Sequence, residues 1–366
     1  MKLRFLLLLL VVPSLANAQT PPSPDETARF LAGMPVEGQL APLMDTPQWQ
    51  QHARAMDEAW AKKEQQQILP IRNWMATNAT EFFISTDPTY YMFAGPDFLY
   101  ANTFFPAANT YVLAGLEPIG QVGDLTKFPP DAVVGNLSVL RASLNNILRF
   151  QYFITKDMRA ELGKGGVSGT LPLLYVFLVR MGNTITDVER LTSPADGVKI
   201  TFRSADAQRT QTLFYFKTDL SDGNSAFLKW CATRGRGNSL LKAASYLMHG
   251  GGFSGVKNFL LQNSKVIIQD DSGIPLRDFP KGWSVSVYGH YVPHRTDFAK
   301  YWQPDLAAYL TQNPPGELGF AFGYHWEREE GVMMMATPGA QPRRAVEVRP
   351  PAQAREPEVR RALPPH

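Results

Sequence analysis

An α/β fold with a mixed sheet follows from three features of the chain. Residues 81–118 alternate apolar strand-like segments with a Gly-Pro turn and a short apolar helix. That order and length suit a β-α-β crossover, hence parallel strands. Residues 184–218 hold three segments, one of which alternates strictly: Val198, Ile200 and Phe202 against Lys199, Thr201 and Arg203. Alternation of this kind marks a half-buried antiparallel hairpin section. Around both lie stretches with apolar residues at helical spacing, which places helices on the faces of the sheet.

Taken in order, residues 1–18 have the form of a cleavable secretory signal. Lys2 and Arg4 precede an apolar stretch of residues 5–12, Pro13 and Ser14 break it, and Ala16-Asn17-Ala18 has the small-x-small cleavage pattern. The stretch is shorter than the ~20 apolar residues a bilayer span needs, and no other run of that kind follows. The expected address is periplasmic or extracellular, with a mature chain starting at Gln19. Residues 19–44 are Pro-rich and read as an extended leader. A single α/β domain is expected over 45–336.

That domain opens with a helix. Thr46 can cap it, Pro47 suits its first turn, and Trp49, Ala53, Met56 and Trp60 share a face. A second short helix is expected over 71–76. Strands are then expected over 81–94 and 110–116, separated by the Gly95-Pro96-Asp97 turn and a helix over 98–105. A long helix over 131–155 carries Val134, Leu137, Leu140, Leu144, Ile147 and Leu148 on one face. An apolar helix over 171–181 precedes strands over 184–191, 198–204 and 210–218. Helices over 225–233, 240–249 and 255–261, a strand over 265–269, another over 283–288, a helix over 305–312 and an aromatic strand over 318–325 complete the domain. Residues 337–366 are Ala, Pro, Arg, Glu and Gln with almost no apolar side chains, and are expected to be disordered.

Composition excludes some functions. The whole chain has 36 basic and 33 acidic residues, but without the signal and the tail the centre keeps 28 and 30. The basic excess belongs to the ends, so no basic patch marks a nucleic-acid surface on the folded part. A single cysteine, Cys231, excludes an internal disulfide and is expected to be a buried small hydrophobe.

The candidate catalytic residues are Asp97, Glu117, Asp270 and Asp271. Asp97 and Glu117 follow strand ends of the expected crossover, where ligands sit in open α/β sheets. The competing roles are a helix cap for Asp97 and an ion pair for Glu117. The single glycine of the turn, and Pro96 after it, do not fit a dinucleotide site. Adjacent Asp270 and Asp271 can hold a metal or share a proton, or can form a turn before Gly273. Asp271-Ser272-Gly273 resembles the Asp-Ser-Gly loop of aspartic proteases, which need two such loops; only one is present. His290 and His294 flank Pro293 and do not form a zinc helix. His249 and His325 sit in an expected helix end and strand. No Gly-rich P-loop, nucleophile elbow or EF-hand is complete, so cofactor and metal stay unspecified.

Residues 93–100 with 111–118, and residues 268–275, resemble a block that recurs in exported bacterial proteins without a defined activity. The resemblance implies export and nothing about the reaction. Two functions are therefore expected: an envelope hydrolase with an acidic, cation-attracting crevice acting on a small molecule, or a non-catalytic scaffold binding a cell-envelope component. If residues 265–269 join the crossover sheet, all four carboxylates fall in one crevice.

Overall fold

The computed structural model describes residues 20–150, 166–206, 208–223, 225–294, 297–324 and 331–339. The expected signal 1–18, the last residues of the 131–155 helix and the tail beyond 339 lie outside them, as does His325. The fold is α/β, built on a nine-stranded mixed sheet in the order β10-β11-β9-β8-β1-β2-β7-β6-β5.

Its centre is parallel: β9 (Ser264–Gln269), β8 (Gly237–Leu241), β1 (Thr89–Tyr91), β2 (Thr110–Gly115) and β7 (Thr210–Lys217). These strands are buried on both faces, which is why they read as apolar runs rather than alternation. The antiparallel flank on one side is β5 (Thr184–Leu191) and β6 (Gly197–Arg203), as the alternation at 198–203 predicts. The other flank is β10 (Trp283–Gly289) and β11 (Val332–Pro338), and β3 (Gln121–Val122) pairs with β4 (Val167–Ser168) in a separate antiparallel ribbon.

Helices cover both faces. One face carries α1 (Pro24–Leu31), α2 (Pro47–Lys63), α3 (Leu69–Asn78), α5 (Phe98–Phe104), α6 (Pro130–Phe150) and α7 (Leu171–Arg180), in one continuous apolar core with Tyr91, Leu113, Tyr215 and Leu240. The opposite face packs α8 (Ser225–Ala232) and α9 (Ser254–Asn263) on Tyr90, Val112, Phe214 and Leu241. Cys231 is buried there, as its apolar context predicts. Burial pushes its thiol well up, which leaves it an inert thiol.

Four expectations change. The leader is not extended: Ser23 caps α1, Pro24 occupies its first turn, and Phe30 and Leu31 enter the core. Eight residues are too few to display helical periodicity in sequence. Residues 81–94 are not one strand, because the chain forms α4 (Thr80–Phe83) and then turns at Ser85 and Asp87 before β1. Residues 240–249 are not a helix. Leu240 and Leu241 are both fully buried, but on opposite faces of the sheet as the end of β8. Residues 318–324 form no strand; the sheet is completed by β11, which extends through Thr337 and Pro338. The tail therefore begins after the last ladder pair, Trp283 with Pro338.

Candidate functional site

Strand order reverses at β1 and β8. From β1 the chain crosses through α5 to β2 on one side, and from β8 it crosses through α9 to β9 on the other. The two crossovers run over opposite faces. At such a reversal the loops leaving adjacent strands part and open a crevice at the carboxyl ends. A cavity of about 210 Å³ lies there, lined by the loops after β1, β2, β7 and β8.

The loop after β1 is Met92 to Asp97. Phe93 and Gly95 take left-handed backbone conformations, φ 61° and 54°. Asp97 closes the turn by accepting the Tyr100 N–H at 3.1 Å, which caps α5, and the Tyr91 hydroxyl at 2.9 Å. The cap anticipated in the sequence is thus present. Asp97 is also paired, 3.2 Å from Nζ of Lys242, the first residue after β8. Both side chains are buried. The Lys242 ammonium sits 3.8 Å from the centre of the Tyr100 ring. Burial holds its pKa down, and the charges of Asp97 and Asp270 oppose that shift. Tyr91 is pushed well up, first by burial and then by Asp97, so it stays a hydroxyl donor.

The loop after β8 is more strained. Ala243, Ser245 and Tyr246 all have positive φ, at 54°, 56° and 57°. Non-glycine residues pay of order 1–3 kcal/mol each for such conformations, and persist there only when their surroundings hold them. The Asp270–Ser272 turn after β9 supplies that hold. Asp270 accepts the Ala243 N–H at 2.9 Å, and the Ser272 hydroxyl accepts the Ala244 N–H at 2.7 Å. Ser272 in turn donates to Asp270 through its amide and its hydroxyl. Gly323 leaves room for this, since a Cβ there would stand 2.2 Å from Asp270 Oδ2. The Tyr324 hydroxyl donates to the Ala243 carbonyl at 3.0 Å and meets the Ser245 hydroxyl at 3.1 Å. The Tyr246 hydroxyl lies 3.1 Å from Asp271 Oδ2 and 2.6 Å from His294 Nε2, and its ring stacks on Tyr301 at 4.5 Å.

Glu117 follows β2 and lines the cavity. Its carboxylate lies against the backbone of Gly115 and Gly95: a Cβ on Gly115 would come within 2.3 Å of Glu117 Oε2. The Tyr215 hydroxyl donates to the Glu117 carbonyl at 2.9 Å and lies 3.3 Å from Oε2. Asp219, exposed, stands at the rim. Phe93, Phe253, Leu116, Leu247 and Tyr324 form the apolar walls.

The four predicted carboxylates therefore divide. Asp97 and Glu117 line the cavity, whereas Asp270 and Asp271 stand behind it and hold the β8 loop. The cation expected among the carboxylates belongs to the chain itself: it is Lys242. Among the described residues no three His, Cys, Asp or Glu side chains are placed to hold a metal ion. His294 joins the support through Asp271 and Tyr246, and His249 packs edge-on to Tyr246. His290 is exposed and does not line this cavity.

Sequence reading missed Lys242, Tyr91, Tyr246, Ser245 and Tyr324. The available signal was Lys242-Ala243-Ala244-Ser245 after the apolar Leu240-Leu241 pair, a polar turn closing a buried strand. A second buried cation also escaped it. Lys63 lies under the same pair, 3.3 Å from the Ile147 carbonyl and 5.9 Å from the Tyr100 ring. Burial, with the neighbouring Lys242 charge, pushes its pKa down to about 7. Comparison of the chain with protein-family models, with curated proteins and with solved structures finds no match.

Proposed function

We propose that the chain is an exported enzyme acting on a small molecule in this crevice, with Glu117 as the proton-transferring group and hydrolysis as the reaction class. The observation that carries the reading is the concentration of left-handed, non-glycine backbone in the two loops of the reversal point. Strain of that kind gathers at functional sites. A carboxylate lining a cavity beside apolar walls is the minimum equipment for a general base acting on water. Asp97 and Lys242 neutralise each other and fix the floor, so their part is positioning. The export address rests on residues 1–18 and on the resemblance of residues 93–100 and 268–275 to exported proteins.

The competing reading is a non-catalytic binding protein. It is favoured by the commitment of Asp97 to Lys242 and to the α5 cap, which takes one of the lining carboxylates out of acid–base work. A panel of chromogenic esters, amides and glycosides separates the two. The enzyme reading expects turnover of one class, reduced at least a hundredfold by Glu117→Gln with the fold unchanged. Turnover that Glu117→Gln leaves intact contradicts it, and small-molecule binding without turnover of any class supports the binding protein.

A further inference from the structure

We infer that the ligand of this crevice carries a six-membered apolar ring, seated on Phe93 and Phe253, and that Phe93 is the residue that selects it. The inference rests on the reading of the crevice as a ligand site and adds the shape and polarity of what enters it.

Three observations converge on it. The first is the position of Phe93. Its backbone is left-handed, with φ 61°. Glycine enters that region freely, whereas a bulky side chain there is an outlier that costs energy. The residue is nonetheless a phenylalanine, and its half-buried ring packs against the core and lines the cavity. Strain of this kind is kept where a site uses the side chain. The second is the surround. Phe93 and Phe253, also half-buried, meet edge to face with ring centres 5.7 Å apart. Beside them Leu116 is 49% exposed and Leu247 37%, two of the seven large apolar side chains exposed among the described residues. Both line this one cavity. Single exposed apolar side chains are ordinary, but several gathered at a concave site mark a binding surface. A ring placed against them takes their surface out of water, and aromatic walls receive a ring edge-on or offset. The third is size. A cavity of about 150 Å³ accepts benzene, so this one of about 210 Å³ accepts a six-membered ring with a short substituent.

The probes are three uncharged alcohols of similar size: benzyl alcohol, cyclohexylmethanol and hydroxymethyldioxane, whose ring is polar. They are titrated into the full chain and followed by NMR. Benzyl alcohol and cyclohexylmethanol are each expected to bind at least tenfold more tightly than the dioxane. Phe93→Gly is expected to weaken both apolar rings at least tenfold and to change the dioxane less than twofold. Its urea midpoint is expected to stay at the wild-type value, because glycine relieves the left-handed backbone. A lowered midpoint with unchanged affinity for the apolar rings assigns Phe93 to packing and overturns the inference. Leu116→Gln, at an exposed position that does not threaten folding, is expected to weaken both apolar rings at least threefold. The dioxane binding as tightly as the other two overturns the apolar ring while leaving the crevice as a ligand site. Binding of none of the three overturns both. If Phe93→Gly fails to fold, an unchanged affinity for the apolar rings in Leu116→Gln decides against the inference.

Discussion

The loops after β1 and β8 meet at one crevice but are built by different means. In the β1 loop the anchoring groups are local: Gly95 supplies the left-handed turn, and Asp97 caps the helix that follows and takes the hydroxyl of Tyr91, six residues back. In the β8 loop they come from distant parts of the chain. Asp270, Asp271 and Ser272 reach it from the end of β9, His294 from after β10, and Tyr324 from before β11. A loop held from within can be recognised in its own sequence, and a loop held from without cannot. Among the described residues, the ion pair of Asp97 with Lys242 joins the two.

Breaking that join should have the largest effect. Asp97→Asn removes the partner of a buried ammonium and weakens the α5 cap. Removing one member of a buried pair costs about 3–5 kcal/mol, so chemical denaturation should show a loss in that range. A loss under about 1 kcal/mol would mean that Asp270 alone suffices for Lys242.

Asp270→Ala attacks the β8 loop and the turn after β9 that holds it. It leaves the Ala243 N–H without its acceptor, and an unsatisfied buried polar group costs about 1–3 kcal/mol. Hydrogen exchange should speed up at Ala243 and Ala244 while the amides of 93–100 keep their protection. Equal acceleration in both loops would contradict their separate construction.

Lys63 sharpens the comparison from below, because it faces the pair without sharing it. Its folded pKa of about 7 lies below the unfolded value near 10.5. Between those limits the unfolded chain holds the proton and the folded one does not. Stability therefore rises with pH from about 7 to about 10.5, by at most about 1.4 kcal/mol per pH unit. Below about 7 both states are protonated and the full burial penalty applies. Lys63→Met should be more stable than wild type at pH 7, with a flatter profile above it. Parallel profiles for the two proteins would refute this.

Tyr246→Phe should have the smallest effect of the four. It removes one hydroxyl from Asp271 and His294 and keeps the ring stacked on Tyr301. A loss of about 1–2 kcal/mol is expected from equilibrium unfolding.

The same contrast explains how much could be read in advance. The Asp97 cap, the crossover before Glu117, the antiparallel pattern of 198–203 and the buried Cys231 each depend on neighbours in sequence, and each was legible. The roles of Asp270 and Asp271 were not, because they depend on β9 lying beside β8 in parallel register. Lys242 was hidden for a related reason. Leu240 and Leu241 contact different cores on opposite faces, so the strand before it carried no alternation to separate it from a helix. Residues 332–336 failed similarly: a run of Met and Val buried between β9 and β10 has no polar face to reveal a strand.

The central claim is that Glu117 meets the ligand whereas Asp270 holds the wall. It is tested most directly by measuring stability and turnover of the chromogenic panel together in Glu117→Gln and Asp270→Ala. Glu117→Gln, whose amide oxygen can keep the Tyr215 contact, should lose no more than about 1 kcal/mol, the worth of one ordinary hydrogen bond, and lose turnover at least a hundredfold; Asp270→Ala should lose about 1–3 kcal/mol and turnover together. A Glu117→Gln protein that unfolds as readily as Asp270→Ala yet still turns over substrate like the wild type would contradict the claim.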